Sequence, residues 1–595
     1  MLKAGSAPVP LALPGSTILI HWSIMNDHPV HGDAARRPVS RMANGDNVVA
    51  DGITGDKPRR RFLLPFFIIV TCYIAYAALY IHRTSFVIEG ERYYCLFDDA
   101  MISMRYARNL AEGNGLVWNA GGERVEGFTN PLWVVMMAGV HFLPLPPSKM
   151  SLPVQVIGVL LLIANAWYVL RLAREVTGDD RRVTMLAPVL TLSYLPINHW
   201  GIQGMETSLL VLLMTACAYH VIVAQRSRKF TAVPYVLLGF GMLVRMDMLV
   251  PLLATGLFLW YADRGACVRH IVISGIIAMG ALSVQTAFRW WYFDAILPNT
   301  YYLKVDGIAP YLRISRGLYV LARFALGMNP FIFLTPFFLP VIYRGHAVRI
   351  LVVLFLAQIA YSIYVGGDAW EWWGGSNRYI VIAMPCFFVA LSVVVVRVRD
   401  ALLRVAAESV PMPARLRKLA FGLPVVLIVV TVNSIHGTAA LGELALMTPP
   451  LHVPDNRRNV ELARQLRRTT LMTTKVAVCG AGTLPYFLDR HMIDILGKCD
   501  TYIAHQKSHV AQGLKQFTDY LPGHRKWDYH YSIGRLKPDI VMQIWDDSTD
   551  AFSVLRPEYA VADYSGYRFY VRRSSAAIRW DVLQGLLSAP LAPVP

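Results

Sequence analysis

The run Lys57-Pro58-Arg59-Arg60-Arg61-Phe62-Leu-Leu-Pro-Phe-Phe-Ile-Ile-Val70-Thr-Cys-Tyr-Ile-Ala-Tyr-Ala-Ala-Leu-Tyr80-Ile81 decides the fold class. After four basic residues, the 20 residues Phe62 to Ile81 carry no charge. At about 1.5 Å per residue a helix of that length spans a bilayer's ~30 Å hydrocarbon core. The basic cluster before it predicts a cytoplasmic N-terminal side, because Lys and Arg are retained there.

Working outward, apolar segments recur at about eleven places: 62–82, 152–172, 184–199, 207–224, 232–244, 248–262, 271–292, 317–342, 350–366, 379–396 and 419–436. The pair 232–244 and 248–262 is short and reads as a tight hairpin or one broken span. Pro131–Leu145 is apolar but framed by prolines, and is expected on the outer membrane surface. Alternation puts the clusters Arg171/Arg174/Arg181/Arg182, Arg226/Arg228/Lys229, Arg264/Arg269, Arg344/Arg349 and Arg397–Lys418 on the cytoplasmic side. The fold class expected is therefore an α-helical polytopic membrane protein. Residues 1–61 read as a disordered cytoplasmic tail, with Met25 or Met42 as alternative starts. Residues 62–437 read as the transmembrane domain. Residues 438–595, with strand-like runs Val476–Gly480 and Asp539–Trp545 and a helix over Val460–Arg468, read as an extracytoplasmic α/β domain.

Composition agrees. The 595 residues are 55% hydrophobic and only 16% charged, well under the ~25% of soluble domains. The net charge of +18 falls in short clusters between apolar runs rather than in one stripe. That excludes nucleic acid as the partner and points to membrane topology and anionic headgroups. The seven cysteines show no metal-ligand spacing, so no structural zinc is expected. Cys479 and Cys499 could pair outside the membrane.

The chemistry collects in the connections assigned outside. The first holds Asp98-Asp99-Ala100, followed by an amphipathic helix to Glu112 and then Glu123-Arg-Val-Glu126-Gly-Phe-Thr-Asn130. One Asp could simply cap the helix; two adjacent acids also suit a general base with an orienting or cation-binding neighbour. Gly204-Met-Glu206-Thr could be a helix cap or a sugar contact. Arg245-Met-Asp247, at the ends of short spans, could be an internal ion pair or an oxyanion site. Asn299-Thr-Tyr-Tyr302-Leu-Lys304 could be an interfacial belt with snorkelling Lys, or a phosphate-and-lipid mouth. Asp368-Ala-Trp370-Glu-Trp-Trp373, then Asn377-Arg378, combines indole faces for sugar C–H surfaces with acids for hydroxyls. Convergence of these five stretches at the outer leaflet, under the C-terminal domain, is the expectation that carries the functional reading.

Phe97-Asp98-Asp99-Ala100 through Asn130-Pro131-Leu-Trp133 resembles the GT-C superfamily of polyprenyl-phosphate-sugar glycosyltransferases. More closely, the order of Gly113-Asn-Gly115-Leu-Val-Trp-Asn119, Glu123–Asn130, Gly204–Thr207, Leu297–Lys304, Gly366-Gly-Asp368, Ile493–Asp500 and Pro522-Gly-His524 resembles the terminal β-arabinofuranosyltransferase family of mycobacterial cell walls. The loop after Asp368 departs from the pattern, being Trp-rich where an Arg is expected sooner. The resemblance implies a polyprenyl-phosphate-linked sugar donor and a glycan, lipid or protein acceptor of the cell envelope. It implies a multi-pass inner-membrane enzyme working on its extracytoplasmic side. It carries the catalytic role to Asp98 or Asp99, and donor-phosphate contacts to Lys304, Arg245 and Arg378. The remaining substrate contacts expected are Glu126, Asn130, Glu206, Asp247, Asn299, Tyr302, Asp368 and Trp370. A divalent cation at the acidic pair stays open, as does the stereochemical outcome. A lipid-linked-sugar flippase and a pilin-type protein glycosyltransferase are the alternatives; no internal repeat favours a transporter.

Overall fold

The computed structural model describes residues 57–595 except 344, 372–376, 410–413, 435–436, 451, 511–519 and 547. The tail expected over residues 1–61 therefore lies outside the described residues up to Asp56. Helix α1 (Lys57–Thr84) starts five residues before the apolar run, because the basic cluster continues its first turn.

The helices that follow are α2 (Asp98–Ala111), α3 (Pro131–His141), α4 (Ser151–Thr177), α5 (Arg181–Leu192), α6 (Leu195–Ile202), α7 (Thr207–Ser227), α8 (Val233–Val244), α9 (Leu249–Ala262), α10 (Cys267–Phe293), α11 (Asn299–Lys304) and α12 (Pro310–Gly327). Among the described residues five helices are long and apolar enough to cross a membrane: Phe62–Thr84, Ser151–Thr177, Thr207–Ser227, Arg264–Phe293 and Ala347–Val365. Two bent pairs raise that to seven, including α12 with Pro330–Ile342, bent by 108°. The bend falls at Asn329, whose φ of +77° breaks the helix just before Pro330. The apolar segment 184–199 is not one rod: it breaks at Ser193-Tyr194 into α5 and α6, both heavily buried. The 232–262 segment is two short helices, α8 and α9, that pack on each other around a 3₁₀ turn at Met246–Met248.

Residues 57–595 form one compact unit. The C-terminal part carries a six-stranded mixed sheet: β3 (Lys475–Val478), β4 (His491–Asp494), β5 (Ile540–Val541), β6 (Tyr559–Tyr564), β7 (Tyr567–Arg572) and β8 (Ala592–Pro593), after an N-terminal hairpin of β1 (Phe86–Ile88) and β2 (Glu91–Tyr93). The order is β4-β3-β5-β7-β6-β8, with β3 parallel to β4 and β5 and the rest antiparallel. The strand expected over Asp539–Trp545 is cut to two residues. Beyond Met542 the chain peels away, and the Trp545 amide donates to the Tyr529 hydroxyl instead (3.0 Å). The expected helix over Val460–Arg468 is present within His452–Thr469. All seven cysteines are free thiols, Cys479 and Cys499 included.

Buried and half-buried hydrogen bonds join this sheet region to α2 and the loop after it. Asn119 exchanges two bonds with the Met492 backbone, each 2.9 Å. Arg105 Nη2 donates to the Arg490 carbonyl (2.9 Å), and Trp118 Nε1 to the Ala481 carbonyl (3.2 Å). Arg108 pairs with Asp489 at 2.6 Å. The Arg105 and Trp118 bonds are buried, and each left unmade costs about 1–3 kcal/mol, so the C-terminal region has a defined seat on α2. Gly482 permits the closest approach: a Cβ there would lie 1.9 Å from the Asp98 carbonyl oxygen.

Candidate active site

Helix α2 begins at the acidic pair, yet neither Asp caps it. The N-cap position is Phe97, with no side-chain cap bond. The two carboxylates instead part. Asp98 Oδ1 accepts the Thr483 amide at 2.8 Å, tying α2 to the C-terminal region. Burial pushes the Asp98 carboxyl above its ordinary range, against the pull of that amide. Asp99 lines a cavity of about 280 Å³. Its Oδ1 accepts Lys498 Nζ at 2.5 Å. Its Oδ2 accepts Arg378 Nη1 and Trp370 Nε1, each at 3.1 Å. Burial alone would raise the Asp99 carboxyl, but Lys498 and Arg378 outweigh it and hold it well below the usual carboxylate range.

Arg378 is fixed from behind. Asp368 accepts its Nε at 2.7 Å and its Nη2 at 2.9 Å, a two-pronged pairing that fits a guanidinium fork. Its guanidinium also lies over the Trp200 ring, 5.1 Å from the centroid. Lys304 lines the same cavity. Its ammonium makes no hydrogen bond or ion pair among the described residues, while its backbone carbonyl accepts the Tyr520 hydroxyl at 2.9 Å. Burial, with Arg378 and Lys498 alongside, pulls its ammonium down to about 8. Gly523, at φ +81°, lets the Pro522-Gly-His524 turn close on it: a Cβ there would meet Lys304 Cε at 3.1 Å. Asp99, Asp368, Arg378, Lys498 and Lys304 thus carry three positive charges against two negative ones, and Lys304 is the cation without an ion pair among the described residues.

A second cluster lines the cavity. Glu206 occupies the N-cap position of α7 but makes no cap bond there. Its Oε2 accepts Asn130 Nδ2 at 2.8 Å and its Oε1 accepts Arg245 Nη1 at 3.1 Å. Arg245 also holds Asp247 through Nε at 2.9 Å and through Nη2. Glu206 is 1% and Arg245 7% exposed in their side chains, so the internal ion pair is the geometry found. Ser103 Oγ donates to Asn130 Oδ1 at 3.0 Å, linking this cluster to α2. Glu126 is paired with Arg289 of α10 at 2.5 and 3.2 Å.

Eight of the expected residues therefore share one cavity: Asp99, Glu126, Asn130, Glu206, Arg245, Asp247, Lys304 and Arg378. Asp368 and Trp370 stand just behind it, as supports of Arg378 and Asp99. Asn299 and Tyr302 face a neighbouring cleft. Asn299 Nδ2 donates to the Gly497 and Lys498 carbonyls (2.9 Å each), and Tyr302 lies against His505 with centroids 4.1 Å apart. Asp98 alone is turned away from both. Trp372 and Trp373 lie outside the described residues. Two cavity residues were not singled out from sequence. Lys498 sits within the Ile493–Asp500 stretch already noted, and Arg289 is a charge inside an apolar span, itself a signal.

No group of three or more metal-ligating side chains occurs among the described residues. The donor set around Asp99 does not fit a divalent cation either: Lys498 and Arg378 already neutralise the carboxylate, and Asp98 points elsewhere.

A search of solved structures matches ArnT from Cupriavidus metallidurans bound to undecaprenyl phosphate, with TM-score 0.52 and 14% identity over 85% of this chain and 98% of that one. The fold is GT-C. An oligosaccharyltransferase from Archaeoglobus fulgidus in the apo form scores lower, TM-score 0.49 at 11% identity, covering 87% of this chain and 75% of that one. Among curated proteins the chain is similar to the terminal β-(1→2)-arabinofuranosyltransferase of Corynebacterium glutamicum, 25% identical over 344 residues. That match covers 51% of this chain and 48% of the relative, so the chain spans about half the length of the curated relative it matches. Residues 451–580 match a domain of unknown function, DUF8728. The resemblance to GT-C transferases read from the Asp-Asp-Ala and companion motifs thus holds in the three-dimensional fold.

Proposed function

We propose that this protein is a membrane glycosyltransferase that moves a sugar, arabinofuranose in the first instance, from a polyprenyl-phosphate donor to a cell-envelope acceptor. The reaction runs on the extracytoplasmic side of the inner membrane. The short helices complete about eleven crossings, and residues 438–595 form the extracytoplasmic domain over the site. The observation that carries the reading is the Asp99 carboxylate set among three cations, one of them without a counter-ion. A donor phosphodiester carries one negative charge, which matches the single charge left over.

Asp99 is the base. The acceptor hydroxyl oxygen bonds to the anomeric carbon as the carbon–oxygen bond to phosphate breaks; the proton goes to Asp99 and polyprenyl phosphate leaves. Lys304, Lys498 and Arg378 take the charge that develops on the leaving phosphate. In a partly dry cavity such fixed cations act far more strongly than in water. When donor phosphate engages Lys498 and Arg378, Asp99 loses their full pull and becomes a better proton acceptor. Asp98 is a positioning residue, holding the Thr483 loop against α2. Arg245 is spoken for by Glu206 and Asp247. Its cluster, net negative, suits sugar hydroxyls rather than phosphate.

The test is the purified protein in lipid nanodiscs with a panel of radiolabelled polyprenyl-phosphate sugars and envelope acceptors. Transfer from at least one donor is expected. In sealed vesicles, movement of lipid-linked sugar across the bilayer without transfer would establish the flippase reading instead.

A further inference from the structure

Two consecutive glycines in left-handed backbone, Gly366 (φ +85°) and Gly367 (φ +76°), turn the chain from the apolar helix Ala347–Val365 into Asp368. Arg316, on α12, holds this turn by its carbonyls. Its Nη1 donates to the Gly366 carbonyl, and its Nη2 donates to the Asp368 carbonyl at 3.2 Å. Arg316 is 2% exposed and makes no ion pair among the described residues. The next residue, Gly317, brings α12 against the apolar helix: a Cβ there would lie 2.4 Å from the Ile363 carbonyl oxygen. Glu371 holds the same turn by its amide. Its Oε1 accepts the Asp368 amide at 2.6 Å and Asn377 Nδ2 at 3.2 Å. Asn377 Oδ1 in turn caps the short helix that starts at Arg378.

Both donor-side cations are placed from this turn. Asp368 grips Arg378 with its two oxygens. Tyr520 holds Lys304, its hydroxyl donating to the Lys304 carbonyl at 2.9 Å. The Tyr520 ring lies at the turn, where a Cβ on Gly366 would meet its Cε1 at 3.4 Å. A displaced turn therefore displaces Arg378 and disturbs the seat of Lys304 as well.

Carbonyls at a helix end need donors, and Arg316 could be no more than one. An amide side chain or a water would serve without burying a cation, which is costly in an apolar helix. A guanidinium differs in holding two carbonyls with one rigid planar fork. That fixes the shape of the turn and not only its hydrogen bonds.

We propose that Arg316 is a positioning residue for the donor phosphate: with Glu371 it clamps the Gly366–Asp368 turn and so sets where Arg378 and Lys304 meet the phosphate. This rests on the transferase reading, but the clamp itself is measurable without it.

Amide hydrogen exchange on full-length protein in nanodiscs reads the clamp with no transfer needed. Arg316→Gln and Glu371→Leu are each expected to speed exchange at Gly367, Asp368 and Arg378 by about tenfold or more, as local opening there becomes easier. In the transfer assay both should lower donor kcat/KM by up to about 100-fold, the scale of a ~1 Å misplacement. Acceptor KM should stay within about threefold. A loosened Arg378 pulls less on Asp99, so the acid limb of the kcat/KM profile should move to higher pH. Arg316→Lys and Glu371→Gln each keep part of the clamp's hydrogen bonding and should recover much of both losses. If Arg316→Gln fails to fold, Glu371→Leu, which removes no cation from α12, decides the matter together with Arg316→Lys. Wild-type exchange at the turn in both disruptive variants would overturn the clamp and leave the transferase reading standing. Faster exchange with donor kcat/KM unchanged, or equal losses toward donor and acceptor with the acid limb unmoved, would reduce Arg316 to a structural residue. Faster exchange in the variants, with no transfer by wild type from any donor, would keep the clamped turn and remove its donor role along with the transferase.

Discussion

Two charged clusters line one cavity and are built on opposite principles. In the Glu206–Arg245–Asp247 cluster every charged group is engaged: Arg245 serves both acids, and Asn130 takes the remaining Glu206 oxygen. In the Asp99 cluster the cations outnumber the acids, and Lys304 is left over. A buried charge without a partner is costly. A fold that keeps one, in a cavity, beside a fully satisfied cluster, is arranged for a charge that arrives. The first cluster holds helices α6 to α9 in place; the second waits for an anion.

The comparison can be broken most severely at Asp99. Asp99→Asn removes the base and should lower kcat by about 10²–10⁴-fold, measured as sugar transfer at saturating donor and acceptor. Glu206→Ala attacks the other cluster and should act on folding. Leaving Arg245 with one acid costs about 3–5 kcal/mol, read as a lowered melting temperature in detergent. Lys304→Met should raise donor KM roughly 10–100-fold, from the loss of one charge-assisted bond worth ~1.5–3 kcal/mol, with melting unchanged or slightly raised. Asp98→Asn keeps an oxygen for the Thr483 amide, so its effect on kcat should stay within about tenfold.

The pH profile sharpens the same contrast. Lys304 must be charged to meet the donor phosphate, and its ammonium sits at about 8 in the free protein. Donor kcat/KM should therefore fall as pH rises through about 8 and hold below it, since kcat/KM reports the free enzyme. Lys304→Arg should move that limb to higher pH. A profile flat to pH 10 in wild type would remove Lys304 from the donor site.

Much of this site was legible in the chain, because topology and chemistry reinforced each other. Polar loops between apolar spans, sorted by their basic neighbours, converge when the helices pack, and eight of the expected residues meet in one cavity. What could not be read were pairings across long separations. Asp98 and Asp99 are neighbours of the same kind. The Thr483 amide on Asp98, and Lys498, Arg378 and Trp370 on Asp99, all more than 270 positions away, tell them apart. Lys498 carries no local signal beyond its place between Asp494 and Asp500. Glu206 reads as a helix cap by position, and becomes an ion-pair partner only because α8 ends with Arg245 beside it. Helix breaks were likewise hidden: Ser193-Tyr194 divides one apolar run into two short helices whose polar neighbours Asn198 and His199 are buried.

The most direct test of the central claim is equilibrium binding of a short-chain polyprenyl phosphate to wild type, Asp99→Asn and Lys304→Met, paired with single-turnover transfer. If the leftover positive charge is the phosphate site and Asp99 the base, Asp99→Asn will bind at least as tightly as wild type, since Lys498 and Arg378 are freed, and will transfer about 10²–10⁴-fold more slowly. Lys304→Met will bind more weakly. Asp99→Asn that binds the lipid phosphate less well than wild type, or that still transfers sugar at the wild-type rate, would contradict the account.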